Sequence, residues 1–493
     1  MRWILTNNIR RLANLVLLAL ASLAPVLVYY QVIAAGGLTA RPDNPRRLAD
    51  EVRIQRGRIY DRQGKVLVEN RLLPDGRSQR VYGYPSLAHV TGFFSPRFGV
   101  SGLEAAFNDE LRAAGGRDTW ADLEARLLHR PTLGHDLVLT IDLEVQQAVE
   151  KAMGDARGAA VVLDPRTGAI LALYSRPYFD PNPLAALEPG PSTDAYWSEL
   201  GKDPERPLVN RATQGLYPPG STFKTITLAA ALEKGIASLD NRYSFALRPP
   251  DADHQYAWHA NQFTSCENHP QTGSFDLKGA YGLSCNVVFS ELGLKIGTPT
   301  LQDYARRFGF EEKPPLEIPT EVSRIATTSD YFTGDERFYA LASTGFGQGE
   351  LMVTPLEMAL VAAAGAAGGS IPRPHLVAQV RDRDGRVLWQ YQPSAWKRAM
   401  EPGTAAQVKE AMVWGGNEGW AKGARPPGVT IGGKTGTAEH GQDGKPHSWF
   451  IGFAPAEEPR VAIALVKEMA GASTTEAAPV GRAIFQAALA AGR

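Results

Sequence analysis

Three short polar motifs lie far apart along this chain, and a fold that uses them together must be built from distant segments. Ser221-Thr222-Phe223-Lys224 follows Tyr217-Pro218-Pro219-Gly220, a stiff turn sequence leading into an apolar helical pattern (Ile226, Leu228, Ala229, Leu232). Ser284-Cys285-Asn286 is the one Ser-x-Asn of the sequence, and Lys434-Thr435-Gly436 its one Lys-Thr-Gly. Residues three apart on a helix share a face, so Ser221 and Lys224 are placed to touch. A serine hydroxyl is a weak nucleophile until a base takes its proton. Lysine serves as that base only when neutral, which needs burial or a neighbouring positive charge. The chain contains its own control, because Ser394-Ala395-Trp396-Lys397 repeats the spacing. That copy lacks the Pro-Gly turn and the apolar helix, and it reads as a surface coincidence.

The chemistry of each motif residue suggests a task. Ser284 can relay a proton between Lys224 and a leaving nitrogen, and Asn286 can bind a substrate amide. Lys434 supplies positive potential beside Ser284 and toward an anionic substrate end. Thr435 and Thr437 can donate to a carboxylate, while Gly436 lets the nucleophile helix approach the strand closely. The backbone N–H groups of Ser221 and Thr437 are the natural oxyanion donors. Catalytic roles are therefore expected for Ser221, Lys224, Ser284 and Lys434, and binding roles for Asn286, Thr435, Gly436 and Thr437.

At 493 residues the chain exceeds one ordinary core, so two or more domains are expected. Lys plus Arg and Asp plus Glu cancel at 52 each, which gives no reason to expect nucleic acid as a partner. Leu12 to Ile33 is an apolar run preceded by Arg2, Arg10 and Arg11, and it reads as a membrane-spanning helix with its N-terminus inside. The cleavage-like Ala19-Leu20-Ala21 falls inside the run instead of after it, which favours an uncut anchor over a signal peptide. The chain beyond residue 40 would then lie outside the cell. In that oxidising setting the two cysteines, Cys266 and Cys285, are a candidate disulfide. His254, His259 and His269 lie close to Cys266, so a metal site is the alternative, although their spacing matches no compact zinc pattern. No metal or other cofactor is expected from the remaining sequence.

The expected fold class is α+β. Arg41 to Asp50 reads as a linker, Val52 to Ile59 and Lys65 to Val68 as strands flanking Asp61-Arg62-Gln63-Gly64, and Leu103 to Ala114 as a helix. Ala159 to Leu163 and Ala169 to Leu173 flank the turn Asp164-Pro165-Arg166-Thr167-Gly168 as a hairpin. Further strands are expected at Gly432 to Glu439, Ser448 to Phe453 and Val461 to Val466, and a closing helix at Pro479 to Ala491. Strands at both ends with helices between them imply an antiparallel sheet assembled from distant segments and covered by helices. The boundaries read as a tip and anchor over 1–40, a small α+β pedestal over 41–150, and a catalytic domain over 151–493. Gly345 to Gly349 reads as a structural turn, Glu357 and Met358 as ordinary packing and surface positions, and His440 and His447 as solvated loop residues. Trp414 and Trp420 receive no role.

In this order the three motifs resemble the signature shared by penicillin-binding proteins and serine β-lactamases. The likeness extends over nearly the whole chain to class B penicillin-binding proteins, and within them to the short penicillin-binding protein A type. It rests also on Arg56-Gly57-Arg58-Ile59-Tyr60-Asp61-Arg62-Gln63-Gly64, Gly99-Val100-Ser101-Gly102-Leu103-Glu104 and Leu139-Thr140-Ile141-Asp142 in the pedestal. Gly347-Gln348-Gly349 with Thr354-Pro355, and His447-Ser448-Trp449-Phe450-Ile451-Gly452-Phe453, carry it through the second region. The resemblance implies a five-stranded antiparallel sheet in a transpeptidase domain outside the cell, held by one membrane span. It implies cross-linking of peptidoglycan stem peptides by a D,D-transpeptidase through a Ser221 acyl-enzyme, and acylation by β-lactam antibiotics. It also implies a polytopic membrane glycosyltransferase partner of the shape, elongation, division and sporulation family. The Ser-Cys-Asn form with an upstream cysteine is similar to the A type and favours the Cys266–Cys285 disulfide. A D,D-carboxypeptidase differs only in using water as acceptor. A β-lactamase would need a deacylating base that no residue here supplies by its pattern, a β-lactam sensor would need several spans, and a scaffold would have no use for three intact motifs.

Overall fold

The nearly all-apolar run Val461–Lys467 becomes the middle strand of a five-stranded antiparallel sheet. The computed structural model describes residues 2–29, 52–112, 133–188, 190–244, 274–334, 337–440 and 444–491. Across the sheet the strands run Gly432–Ala438, His447–Ala454, Val461–Lys467, Gly158–Leu163 and Ile170–Arg176, so distant parts of the chain meet edge to edge. Side chains alternate between faces with the period of a strand. Val461, Ile463 and Leu465 pack with Phe450 beneath the helices Leu143–Met153 and Ala478–Ala491. Ala462, Ala464 and Val466 lie on the opposite face against the alanine-rich helix Pro355–Ala366, where small residues on both sides allow close approach. Each large aliphatic buried in this way contributes about 1.5–3 kcal/mol of transfer free energy.

Between the outer strands the chain is mainly helical. The helix Lys224–Glu233 is buried on every face from Lys224 to Leu232, surrounded by Asn286–Ile296, Thr298–Arg307, Arg337–Phe346 and Pro402–Asn417. A helix buried all round cannot show an amphipathic stripe alone. Glu357 and Met358 both prove fully buried on the helix Pro355–Ala366, so neither is a surface position.

The N-terminal region builds a six-stranded sheet in the order Val387–Gln390, Val377–Arg381, Asp136–Leu139, Ile59–Tyr60, Val66–Leu72, Ser78–Tyr82. Its first two strands are a hairpin from far downstream, which fastens the N-terminal region to the rest of the chain. The three sequence segments singled out in this region hold one another. Glu104, fully buried, receives Arg56 at 2.8 Å and Arg80 at 2.6 Å. Burial pushes its carboxyl up, but Arg80 and Arg56 outweigh that and keep it below its ordinary value. Asp142 caps the helix Leu143–Met153, and the Gln63 amide donates to it at 3.1 Å.

Two expected elements differ. Only Ile59–Tyr60 of the run from Val52 forms a strand, since the Arg56 and Gly57 N–H groups donate to the Ile54 and Leu111 carbonyls at 3.1 and 2.8 Å instead of to a neighbouring strand. The expected helix from Leu103 is two short ones, Gly102–Ala106 and Asn108–Leu111, broken at Phe107 (φ −116°, ψ 32°). The Arg56 guanidinium holds the Glu104 and Asn108 side chains on either side of that break. Residues beyond 112 in that expected helix, and the linker Arg41 to Asp50, lie outside the described residues. Arg2–Val28 is a helix, and the expected span from residue 12 to 33 runs past the end of the described segment. Among the described residues no helix is long and apolar enough to cross a membrane.

Candidate active site

Pro218-Pro219-Gly220 delivers Ser221 onto a single 3-10 turn, Gly220–Phe223, that continues into the helix Lys224–Glu233. The turn lies against the strand Gly432–Ala438 at two glycines. Gly220 has φ +55°, and a Cβ there would sit 2.7 Å from the Thr437 carbonyl oxygen. A Cβ on Gly436 would stand 2.9 Å from the Pro219 carbonyl oxygen, so a side chain at either position would push the two segments apart. The buried Trp449 indole donates to the Pro218 carbonyl at 2.9 Å and fixes the turn from the neighbouring strand.

Lys224 is fully buried, and four oxygens surround its Nζ. It lies 2.9 Å from Ser221 Oγ, 3.0 Å from Ser284 Oγ, 3.0 Å from the Ser284 carbonyl and 2.6 Å from Asn286 Oδ1. An ammonium has three protons for four such partners, whereas a neutral amine has two protons and a lone pair that accepts from a hydroxyl. Burial, and then the charge of Lys434, drive the Lys224 amine well below its ordinary value. Lys434 is pushed down to about 7 by burial. Its Nζ donates to Ser284 Oγ at 2.9 Å and to the Thr435 carbonyl at 2.9 Å. The Ser284 hydroxyl is thus bracketed by two buried amines.

Ser284 occupies a left-handed backbone conformation (φ +63°), which a non-glycine residue adopts at a cost of about 1–2 kcal/mol. It sits between the helices Leu277–Gly282 and Asn286–Ile296, with Cys285 as the cap of the second. Two tryptophans to which the sequence pattern assigns no role brace this bend. The Trp420 indole donates to the Leu283 carbonyl at 2.7 Å, and Trp414 lies so close over Gly282 that a Cβ there would meet its ring at 2.2 Å. Pattern reading misses both because nothing local in a Gly-rich stretch reveals what an indole will reach.

The third motif lines the edge strand. Thr435 is buried, while the exposed Thr437 shares a hydrogen bond of 3.1 Å with Ser473. His447 opens the second strand instead of lying in a solvated loop; its ring stacks on His440 at 4.6 Å. Burial, and then His440, push it down to about 4. Ser394 is exposed, and Lys397 pairs with Glu312 at 2.7 Å, away from the cluster. Cys285 is buried, and no free cysteine occurs among the described residues. Cys266, His254, His259 and His269 lie outside the described residues, and among those described no group of three metal-ligating side chains gathers.

Comparison with known proteins gives a consistent picture. Residues 158–486 match the penicillin binding protein transpeptidase domain, and residues 56–137 the penicillin binding protein A dimerisation domain. The peptidoglycan D,D-transpeptidase PbpA of Mycolicibacterium smegmatis is 38% identical over 504 residues, covering 99% of this chain and 100% of the relative. The PbpA of Mycobacterium tuberculosis is 37% identical, covering 98% of this chain and 99% of the relative. The ceftriaxone acyl-enzyme complex of M. tuberculosis penicillin-binding protein A superposes with a TM-score of 0.80 at 36% identity, over 90% of this chain and 100% of the other. The imipenem acyl-enzyme complex of that protein gives a TM-score of 0.80 at 37% identity, over 89% of this chain and 99% of the other.

Proposed function

The chain belongs to the penicillin-binding protein transpeptidases, and from that premise we propose that it cross-links peptidoglycan as a D,D-transpeptidase with Ser221 as its nucleophile. The observation that carries the residue assignment is Lys224, fully buried and bonded at once to Ser221 and Ser284. Neutral Lys224 takes the Ser221 proton as Oγ bonds to the penultimate D-Ala carbonyl carbon of a stem peptide. The backbone N–H groups of Ser221 and Thr437 receive the developing oxyanion. Collapse breaks the C–N bond to the terminal D-Ala, and Ser284 passes the proton from Lys224 to the departing nitrogen. An amine of a second stem then attacks the ester carbonyl, returning the proton and the free Ser221 hydroxyl. Asn286 binds the donor amide, and Lys434, Thr435 and Thr437 hold its carboxylate. A β-lactam enters the same first step. Its leaving nitrogen stays tethered after ring opening, so the acyl-enzyme persists.

Several finer readings accompany this one. The N-terminal helix is a single-pass anchor with the catalytic region outside the cell, supported by Leu12, Leu15, Leu18 and Leu23, each more than half exposed on Arg2–Val28. The pedestal spans 41–150 and the transpeptidase domain 151–493, boundaries that enclose the two family matches. Cys266 and Cys285 are bridged, supported by the sequence having only these two and by Cys285 being buried and not free. The class B likeness supports a polytopic glycosyltransferase as partner in the membrane. The decisive experiment supplies a stem-pentapeptide donor with an amine acceptor and separates the products. A cross-linked product bears out transpeptidation; release of D-Ala with hydrolysed donor alone makes the protein a carboxypeptidase.

A further inference from the structure

A second charge cluster, buried at Glu468 and Arg211 and partly exposed at Arg157, lies beside the catalytic one, and it grips the stem of the nucleophile turn. Glu468 directly follows the middle strand Val461–Lys467, and its carboxylate is 8% exposed. Its Oε1 accepts from the Tyr217 hydroxyl at 2.8 Å and from Arg211 Nε at 2.8 Å, and its Oε2 faces Arg157 at 2.7 Å. Arg211 Nη1 and Nη2 donate to the Arg206 and Glu205 carbonyls at 3.1 and 2.6 Å, which fixes the guanidinium that the carboxylate meets. The Tyr217 ring stands edge-on to His447 at 5.5 Å and to Trp449 at 6.1 Å. Its backbone pairs with Val353 through bonds of 3.0 and 2.9 Å. Tyr217 is four residues from Ser221, with two prolines and a glycine between them. Motion at Tyr217 is therefore passed to Ser221 with little slack.

We infer that Glu468 is a positioning residue for acyl transfer: through the Tyr217 hydroxyl it sets the height of the nucleophile turn over the sheet and so keeps Ser221 Oγ in register with Lys224. The inference rests on Ser221 being the nucleophile. Two arginines and a tyrosine around one carboxylate are a poor source of stability, because removing charges from water offsets most of their attraction. The carboxylate does give the Tyr217 hydroxyl a directional partner, which an apolar plug of equal volume could not. A displacement of about 1 Å at a nucleophile can slow reaction a hundredfold, so a small tilt of this stem is enough to matter.

The test uses the full chain and labelled penicillin, resolving the initial binding constant from the acylation rate constant. Tyr217→Phe keeps the ring contacts and removes only the hydroxyl, and it is expected to slow acylation about tenfold with initial binding unchanged. Glu468→Ala should slow it further, and Glu468→Gln, which keeps an acceptor at the same place, should recover part of the loss. Combining Tyr217→Phe with Glu468→Ala should cost no more than Glu468→Ala alone, because both break one linkage. If Glu468→Ala fails to fold, Tyr217→Phe decides by itself, with a thermal melt to show an intact fold. Rate constants per folded molecule within twofold of wild type, or losses that multiply in the double variant, overturn the inference and leave Ser221 untouched. Labelling that persists in Ser221→Ala overturns the premise and the inference together.

Discussion

Two segments of this molecule share the pattern Ser-x-x-Lys, and the fold makes them opposites. Ser221 and Lys224 lie on a turn running into a helix, where residues three apart meet, and their side-chain heads are 2.9 Å apart. Lys397 belongs to the strand Ala395–Arg398, paired with Ser370–Pro372, where residues an odd number apart point to opposite faces. Lys224 is enclosed, with a second buried amine contacting the same Ser284 hydroxyl, and its proton is destabilised. Lys397 instead forms an ion pair with an exposed carboxylate, Glu312. Identical residues at identical spacing thus become a buried contact pair in one place and a surface ion pair in the other. Secondary structure decides whether the pair can touch, and burial decides whether the lysine can accept a proton.

That contrast can be broken most decisively at the serines. Ser221→Ala should abolish covalent labelling by penicillin, while Ser394→Ala should label like wild type; the reverse pattern, read on a denaturing gel, would reject the site. Next in size is Lys224→Met, expected to slow acylation by about 10²–10⁴-fold, the span of a positioned general base. The same base predicts the wild-type pH profile. Since the neutral amine is the active form and its pKa lies well below 10.5, acylation should rise with pH along an acid limb that ends well before that value, and fall again as Lys434, at about 7, loses the charge that holds the substrate carboxylate. A limb still climbing at pH 10 would mean that Lys224 titrates like a surface lysine.

Ser284 allows a finer cut. Ser284→Ala and Ser284→Gly both remove the relay hydroxyl and should slow acylation alike, but the glycine variant should be more stable by about 1 kcal/mol, because φ +63° carries no Cβ penalty there. Denaturant unfolding of the two proteins measures the difference. The smallest effect is expected for Lys397→Met, which loses one exposed ion pair with Glu312. Stability should change by less than about 1 kcal/mol and acylation not at all.

Much of the fold is legible in the sequence because its elements carry strong local patterns. The hairpin around Asp164 to Gly168, the apolar strand at Val461 and the closing helix near Ala478 all stand where periodicity and turn chemistry put them. The run from Val52 and the helix from Leu103 depart from their local patterns because Gly57 and Arg56 answer to partners distant in sequence, Leu111 and Glu104. The downstream hairpin Val377–Arg381 and Val387–Gln390 gives no sign that it will complete the N-terminal sheet, since a strand's own pattern does not name its neighbour. Glu468 follows an apolar strand and looks like any solvated acid until Arg211, Arg157 and Tyr217 are seen to enclose it.

By itself the sequence determined which candidate groups the chain could bring together: one serine next to one helical lysine, a second serine with an asparagine, and a lysine on a strand opened by glycine. Residue type and short-range spacing are properties of the local chain, so they survive any uncertainty about topology. Only the tertiary structure decided that these groups meet, that Lys224 is surrounded by four oxygens away from water, and that a second charge cluster around Glu468 bonds Tyr217 at the stem of the turn. Proximity of distant segments and the loss of solvent around a charge are set by packing, and packing belongs to the whole chain at once.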